Sequence, residues 1–262
     1  MYCPDLKITF LGTGTSSGVP MIACPCEVCH SLDKHDKRFR SSILVESKTT
    51  TIVVDTTPDF RTQMLNANVV SLDAVLITHH HKDHIAGLDD VKAYCYFGNK
   101  FMPVYSTLPT QAALKKEFSY VFDENKYPGV PDIKIETIDS EPFLIGDIPV
   151  IPIKVWHHRM PVLGFRFGNF TYITDANKID EDEKKKILGS QVLVLNALRY
   201  KKHISHFTVS EAIELADELK VGKCFFTHIS HQLGKYSVVN PTLPGNCEMA
   251  YDGLEVFMKS ID

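Results

Sequence analysis

The fold is decided by the stretch Thr78-His79-His80-His81-Lys82-Asp83-His84, which directly follows an apolar run at residues 74–77. Side chains two positions apart in an extended segment point the same way, so His79 and His81 can converge on one ion. Asp83 and His84 stand at the turn into a segment of helical character, residues 85–97, and can face a second ion. Imidazole nitrogen and carboxylate oxygen suit zinc, manganese or iron.

An accidental histidine-rich surface run is the alternative interpretation of this stretch. Four potential ligands within six residues, with an aspartate among them after a strand, favour metal binding instead. The chain as a whole carries 12 histidines, and several of them are clustered.

Size and charge narrow the class of protein. A chain of 262 residues can bury about three quarters of its unfolded surface, so it needs no disulfide framework. The net charge of −4 gives no electrostatic reason to expect strong binding to nucleic acid or to an anionic membrane. The sequence shows neither a signal-like start nor an apolar run long enough to cross a bilayer, which predicts a cytoplasmic protein.

Short β-branched runs recur along the chain and predict strands, with helices at residues 180–188 and 210–219. Early in the chain the predicted strands follow one another in runs, and later in the chain helices lie between them. This order favours an α/β protein built as an αββα sandwich. The proline-rich residues 97–131 are predicted to form an irregular excursion beside the sheets. We expect one domain over residues 1–262.

The histidine stretch matches the His-x-His-x-Asp-His signature of the metallo-β-lactamase superfamily, and the resemblance extends over nearly the whole chain. Three further segments resemble family motifs and occur in the family's order. They are the glycine-rich opening at residues 10–20, the strand at 171–175 that ends in Asp175, and the strand at 225–231 that delivers His228.

The resemblance implies two catalytic ions. His79, His81 and one of the neighbours His157 and His158 would hold the first. The spacing to Gly164 in the most similar subgroup favours His158. The second ion would be held by Asp83, His84 and His228, and Asp175 would bridge the two. Zinc or manganese is expected, with iron as a third candidate.

Three of the seven cysteines form the compact pattern Cys24-x-Cys26-x-x-Cys29, which can hold a zinc ion once a fourth ligand is present. His231 resembles the fourth ligand in phosphodiesterases like that of the carbon–phosphorus lyase pathway. The resemblance therefore implies a structural zinc that fixes the N-terminal loop. Free cysteines and a site completed by His30 are the alternatives.

His206, just before the second predicted helix, resembles the general acid of phosphodiesterase members of the family. His203 is a second candidate, and a solvated loop histidine is the other interpretation. Together with Asp83, His206 is expected to be catalytic.

The resemblance implies a dinuclear phosphodiesterase that attacks small, cyclic ribosyl or nucleotide diesters with a metal-bound hydroxide. The alternatives are a tRNA 3′-processing endoribonuclease, a thioesterase of the superfamily, and a zinc-bound scaffold without activity. Residues 97–131 lack the glycine-rich basic arm of the tRNA enzymes, so a small-molecule phosphodiester is the expected partner and nucleic acid is not. No membrane partner is expected, and a homodimer would be ordinary for such enzymes.

Overall fold

The computed structural model describes residues 2–261, and its strands are short. In chain order they are β1 (Leu6–Gly12), β2 (Ser42–Glu46), β3 (Thr51–Val54), β4 (Ala74–Leu76), β5 (Met102–Ser106), β6 (Ile133–Thr137), β7 (Phe143–Ile145), β8 (Ile148–His157), β9 (Met160–Phe167), β10 (Phe170–Tyr172), β11 (Lys178–Ile179), β12 (Val192–Asn196), β13 (Lys223–Thr227), β14 (Cys247–Met249) and β15 (Glu255–Met258).

The helices lie mostly between these strands. They are α1 (Phe60–Asn66), α2 (Lys82–Ile85), α3 (Lys92–Gly98), α4 (Leu108–Glu117), α5 (Ser119–Phe122), α6 (Glu181–Ile187), α7 (Val209–Glu218) and α8 (Tyr236–Val239), with 3₁₀ turns at Lys34–Asp36, Leu88–Val91 and Asn240–Thr242. Within residues 2–261, none of these helices combines the length and the apolar character that crossing a bilayer requires.

The strands form two mixed sheets. One has the order β15-β1-β2-β3-β4-β5-β6, and the other has the order β11-β8-β9-β10-β12-β13-β14 with β7 beside β8. Buried side chains from both sheets, such as Ile43, Val54 and Phe165, form a shared core between them. Separate buried clusters lie under the helices on the two outer faces. This is the four-layered αββα arrangement of the metallo-β-lactamase fold, as predicted from the sequence.

The parallel pairs in each sheet determine where functional side chains can meet. Strands β3, β4 and β5 run parallel, as do β10, β12 and β13. The carboxyl ends of parallel strands lie at one edge of a sheet, where the chain must leave the strand and can present polar groups. Segments that follow β3, β4, β10 and β13 therefore lie at two edges that face a common site.

The predicted helices are confirmed to within one residue at each end. The second begins with a capping box, in which the Thr208 hydroxyl accepts from the Glu211 N–H and the Glu211 carboxylate accepts from the Thr208 N–H. This pair satisfies backbone donors that the first helical turn leaves free.

The prediction for residues 97–131 was wrong. This segment contains β5, which pairs with β4 on one side and β6 on the other, and it also contains α4 and α5. The prolines that suggested an irregular segment are accommodated locally. Pro109 lies in the first turn of α4, where the missing N–H would have had no helical partner.

Candidate metal centre

The histidine stretch leaves β4 at the edge of the first sheet and turns into the short helix α2. His79 is buried, and His81 is the residue that precedes α2, with an extended backbone. Its imidazole Nδ1 lies 3.1 Å from Nε2 of His79. These two side chains thus lie together, as their spacing predicts.

His157 completes the first cluster from the opposite sheet. Ligand atoms of His79, His81 and His157 all lie within 4.8 Å of one another. Nδ1 of His157 donates to the backbone carbonyl of Ser205 at 2.9 Å. A carbonyl can only accept, so this bond places the proton on Nδ1 and leaves the lone pair of Nε2 available to a metal ion.

The geometry corrects the choice of His158. His158 is exposed and follows the last residue of β8, and its backbone adopts a left-handed conformation with φ of 57°. Its N–H donates to the Asn177 side chain at 2.7 Å. Among the described residues, the groups of potential ligands contain His157 and not His158.

A second cluster consists of Asp83, His84, Asp175 and His228, whose ligand atoms also lie within 4.8 Å of one another. Asp83 and His84 lie on α2, whereas Asp175 and His228 follow β10 and β13. The Asp175 carboxylate oxygen Oδ2 lies 3.2 Å from His84 Nε2 and 3.2 Å from His228 Nδ1. The second cluster is thus assembled from both sheets.

Asp175 lies between the two clusters. Its other oxygen, Oδ1, lies 3.1 Å from Nε2 of His206, and one further group of potential ligands contains His157, Asp175 and His206. One carboxylate therefore reaches groups on both sides, which is the position that a bridging ligand requires.

His84 is the clearest indication that a cation belongs here. Its Nε2 is buried and makes no hydrogen bond with any described residue, although carboxylate oxygens of Asp83 and Asp175 lie 3.3 and 3.2 Å away. Burial alone would lower the pKa of His84, but the carboxylates of Asp175, Asp55 and Asp83 together raise it well above its ordinary value. Carboxylates that stabilise a positive charge on a buried imidazole would stabilise the charge of a bound metal ion in the same way.

The remaining members of the clusters are biased toward the protonation states that bind metal. Burial lowers the pKa of His79 well below its ordinary value and lowers that of His228 to about 4, so both imidazoles are neutral near pH 7. Burial would raise the pKa of Asp175, but His228 and His84 hold it well below its usual range. Neutral imidazoles and ionised carboxylates are the forms that coordinate a cation.

Asp55 is a functional residue that the sequence analysis missed. It follows β3, is fully buried, and its carboxylate accepts from Nδ1 of His84 at 2.7 Å. It also accepts from the N–H of Thr78 at 2.8 Å. Asp55 therefore fixes the orientation of His84 and aims Nε2 at the second cluster. Its position at the end of a β-branched run was the available signal.

Three of these acidic and histidine residues have strained backbones. Asp55, Asp175 and His228 have φ angles of 67°, 55° and 54°. Such left-handed conformations cost non-glycine residues about 1 kcal/mol or more each and persist only where the surroundings enforce them. Each residue follows a strand at the site, where the turn redirects its side chain toward the clusters.

The cysteines assemble as predicted with His231. Ligand atoms of Cys24, Cys26, Cys29 and His231 lie within 4.8 Å of one another, and Nδ1 of His231 is 3.3 Å from Cys26 Sγ and 3.5 Å from Cys24 Sγ. His30 is not among the members of this group. Three thiols and one imidazole at this spacing match a closed structural zinc site.

Within the cysteine group, the thiols differ in acidity. The N–H of Cys29 donates to Cys26 Sγ at 3.4 Å, and this bond, helped by His231, lowers the pKa of Cys26 to about 6. Burial raises the pKa of Cys29 to about 11. Of these two thiols, Cys26 is therefore the one more readily ionised at neutral pH.

His206 is buried beside the catalytic clusters, three residues before α7. Its Nδ1 lies 3.0 Å from Nδ1 of His203 and 3.1 Å from the Ser205 hydroxyl, while its Nε2 faces Asp175. Of the two histidines considered from the sequence, His206 is the one in contact with the clusters. His203 contacts Nδ1 of His206, on the side of the ring away from Asp175.

Comparison with known proteins identifies the family. The family described as the beta-lactamase superfamily domain matches residues 50–229, a range that contains both clusters from His79 to His228. This chain belongs to the β-lactamase superfamily. Within the superfamily it is PhnP-like, because the crystal structure of a diphosphatase from the PhnP family is 36% identical to it. The likeness covers 96% of this chain and 97% of that one, with a TM-score of 0.90.

Two further proteins are similar to this chain, one in its fold and the other in its sequence. Zinc-bound PqqB from Methylobacterium extorquens shares the fold, with 21% identity over 95% of this chain and 99% of that one and a TM-score of 0.77. A curated protein of Porphyromonas gingivalis named octanoyltransferase is 37% identical over 97% of this chain. The present chain spans about half of that protein's length, 52%.

Membership of the superfamily implies divalent metal ions, and the residues present fit them. The donors are imidazoles and carboxylates, which suit first-row ions, and the buried Nε2 of His84 has no other partner among the described residues. This chain is therefore a metal-dependent hydrolase of the β-lactamase superfamily.

Proposed function

We propose that this hydrolase cleaves small phosphodiesters, including cyclic ribosyl and nucleotide diesters. The observation that carries the proposal is the position of His206, whose Nε2 lies 3.1 Å from Asp175, the carboxylate shared by the two clusters. A phosphodiester expels an alkoxide, which needs a proton, whereas a thioester expels a thiolate, which does not. A proton donor at this position therefore supports the diester.

The other side chains of the two clusters would bind the metal ions. His79, His81 and His157 would hold one ion, Asp83, His84 and His228 the other, and Asp175 both. When bound, two such ions lower the pKa of a water molecule and offset negative charge on a phosphate oxygen.

The hydrogen-bonded partners of the ligands keep them oriented. The Asp55 carboxylate and the Ser205 carbonyl hold the protons of His84 and His157 on the Nδ1 atoms. His206 gives a proton to the leaving oxygen, a contribution of about 10²–10⁴ in rate for a general acid. His203 and the Ser205 hydroxyl hold the ring of His206 from its other side.

We infer that the two catalytic ions are zinc or manganese, with iron as a third candidate, and that the cysteine group holds zinc. The support is the donor set, which combines imidazole and carboxylate in the catalytic clusters and thiols with one imidazole in the other group.

The substrate class is tested with chelated protein resupplied with zinc or manganese. We expect hydrolysis of bis(p-nitrophenyl) phosphate and of a 2′,3′-cyclic nucleotide, and little hydrolysis of p-nitrophenyl phosphate. Because the PhnP-family relative is a diphosphatase, a dinucleoside diphosphate belongs in the panel. Octanoyl-coenzyme A belongs there as well, because of the Porphyromonas gingivalis relative. Cleavage of the thioester alone, in metal-loaded protein, would contradict the proposal.

A further inference from the structure

The chain leaves the second sheet shortly after β10, at the turn that contains Asp175. The Ile173 N–H still donates to the Val194 carbonyl of β12 at 2.9 Å. Asp175 then adopts a left-handed backbone with φ of 55°, and Ala176 follows it and is fully buried. An unpaired polar group in the interior is costly, so the backbone N–H and carbonyl of Ala176 need partners of their own.

Asn196, the last residue of β12, supplies a partner to each of these two groups. It is fully buried, its Oδ1 accepts from the Ala176 N–H at 2.7 Å, and its Nδ2 donates to the Ala176 carbonyl at 2.9 Å. A carboxamide offers both an acceptor and a donor, so it can take the place of a neighbouring strand. In the parallel register of β12 and β13, Asn196 lies beside Thr227, the residue before His228.

The same Ala176 carbonyl also binds the segment that carries His206. It accepts from the Phe207 N–H at 2.8 Å, and Phe207 comes directly after His206 in the chain. Ala176 in turn comes directly after Asp175, so one carbonyl joins the backbones next to both side chains. These side chains meet at 3.1 Å, between His206 Nε2 and Asp175 Oδ1. Asn196 therefore holds the point at which the two backbone segments join.

Satisfying a buried peptide group is the ordinary role of a buried asparagine, and that role would involve Ala176 alone. Here the bonds also bear on His206, whose surroundings leave it little room. Its ring stacks on that of His228, with centroids 4.9 Å apart and 14° between the planes. The same ring packs edge-on against His157 at 4.7 Å. A shift of the His206 backbone would therefore move its Nε2 relative to residues of both clusters.

We propose that Asn196 is a positioning residue, which sets the place of the His206 imidazole relative to the Asp175 carboxylate and thereby the delivery of a proton to the leaving oxygen. This proposal rests on the proposed phosphodiesterase function. Asn196 acts on the reaction through the backbones of Ala176 and Phe207. A displacement of a reacting group by about 1 Å can cost about 10²-fold in rate, so the loss of both Asn196 hydrogen bonds should be measurable in the kinetics.

The test compares two diesters that differ in the group they expel. In metal-loaded Asn196→Ala we expect kcat on a 2′,3′-cyclic nucleotide, which expels an alkoxide, to fall about 10–100-fold. The loss on bis(p-nitrophenyl) phosphate should be much smaller, because p-nitrophenolate leaves without a proton, and bound metal and KM should stay near the wild-type values. Asn240→Ala is the matched control, since it also removes an asparagine hydrogen bond to a backbone N–H, that of Met249, and it should behave as the wild type.

A double variant separates positioning from a general loss of structure. In the His206→Ala protein, adding Asn196→Ala should cause little further loss on the cyclic nucleotide, because the group that Asn196 positions is already gone. Equal losses on the two diesters, or a loss that adds in full to that of His206→Ala, would overturn the proposal and leave the phosphodiesterase intact. If Asn196→Ala does not fold, Asn196→Asp, which has the same size but lacks the donor to the Ala176 carbonyl, is judged by the same two results.

Failure of the proposed function is recognised separately, because the wild-type protein would then cleave neither diester. In that case the place of His206 is measured by NMR of the zinc-loaded protein. Nuclear Overhauser contacts between the ring protons of His206 and those of His228 and His157 should be present in the wild type and in Asn240→Ala, and weakened in Asn196→Ala. Unchanged contacts in Asn196→Ala would overturn the positioning role.

Discussion

Asp55 Oδ2 lies 2.7 Å from Nδ1 of His84, and both side chains are fully buried at the base of the second metal cluster. The contact joins the end of β3 to α2, across 29 positions in the chain. Because Nδ1–H of His84 donates to Asp55, Nε2 of His84 is left for an ion. This pair makes the orientation of a ligand depend on a residue that is not itself a ligand.

Asp55→Asn should weaken binding of the second ion while leaving the first cluster in place. Loss of a carboxylate that orients a ligand histidine typically costs about 10–100-fold in metal affinity or activity. Metal titration of chelated protein, followed by activity, measures the effect. Asp132→Asn, at an exposed carboxylate, is the matched control. Wild-type affinity for both ions in Asp55→Asn would contradict the role assigned to Asp55.

His157→Ala and His158→Ala form a pair that tests the corrected ligand assignment. The first should lose one catalytic ion and most activity, because His157 contributes to the first cluster. The second should keep both ions, since His158 is exposed and its contact with Asn177 uses its backbone N–H. Metal content by mass spectrometry distinguishes them, and the opposite pattern would restore His158 as the ligand.

The cysteine group predicts an unusual pH dependence in zinc-free protein. Only a thiolate is alkylated rapidly, and the pKa of Cys26 is lowered to about 6 by the N–H of Cys29. The rate at which iodoacetamide alkylates Cys26 should therefore rise as the pH increases through about 6, and it should be low at more acidic pH. Cys29, with its pKa raised to about 11 by burial, should react slowly at neutral pH and serve as the internal control.

Peptide mass spectrometry measures both rates. Added zinc should protect both cysteines, because a coordinated thiolate is not free to attack. A midpoint near 9 for Cys26 would contradict its lowered pKa, and alkylation unaffected by zinc would contradict a zinc site at this group.

His206→Ala should show a strong dependence on the leaving group. p-Nitrophenolate leaves without a proton, so the loss on bis(p-nitrophenyl) phosphate should be under about tenfold. A 2′,3′-cyclic nucleotide expels an alkoxide, and there the loss should approach about 10²–10⁴. Steady-state rates on the two substrates test this, and equal losses would remove the proton-donor role while leaving a role in binding.

The catalytic clusters could be predicted from the sequence largely because their spacing is local. His79, His81, Asp83 and His84 lie within six residues, and family resemblance placed Asp175 and His228. The choice between His157 and His158 could not be predicted in the same way. It depends on where β8 ends, because His157 is its last residue and His158 stands in the left-handed turn that follows.

Two other features depended on long-range contacts. Asp55 acquires its role only when β3 and β4 pair in parallel and bring it beside His84. β5 was hidden because Pro103 argued against a strand, although β5 gains pairing from both β4 and β6. Both features depend on pairing between strands that are distant in the sequence, and local sequence preference does not reveal that pairing.

The central claim is that two ions bound at these clusters carry the hydrolysis. The most direct test is to strip the protein with a chelator, return zinc or manganese in measured steps, and record bound metal and diester hydrolysis together. We predict that activity is lost on stripping and returns as two ions per chain bind, in addition to the zinc held by the cysteines. Activity that persists in stripped protein, or that returns fully with one ion, would contradict the account.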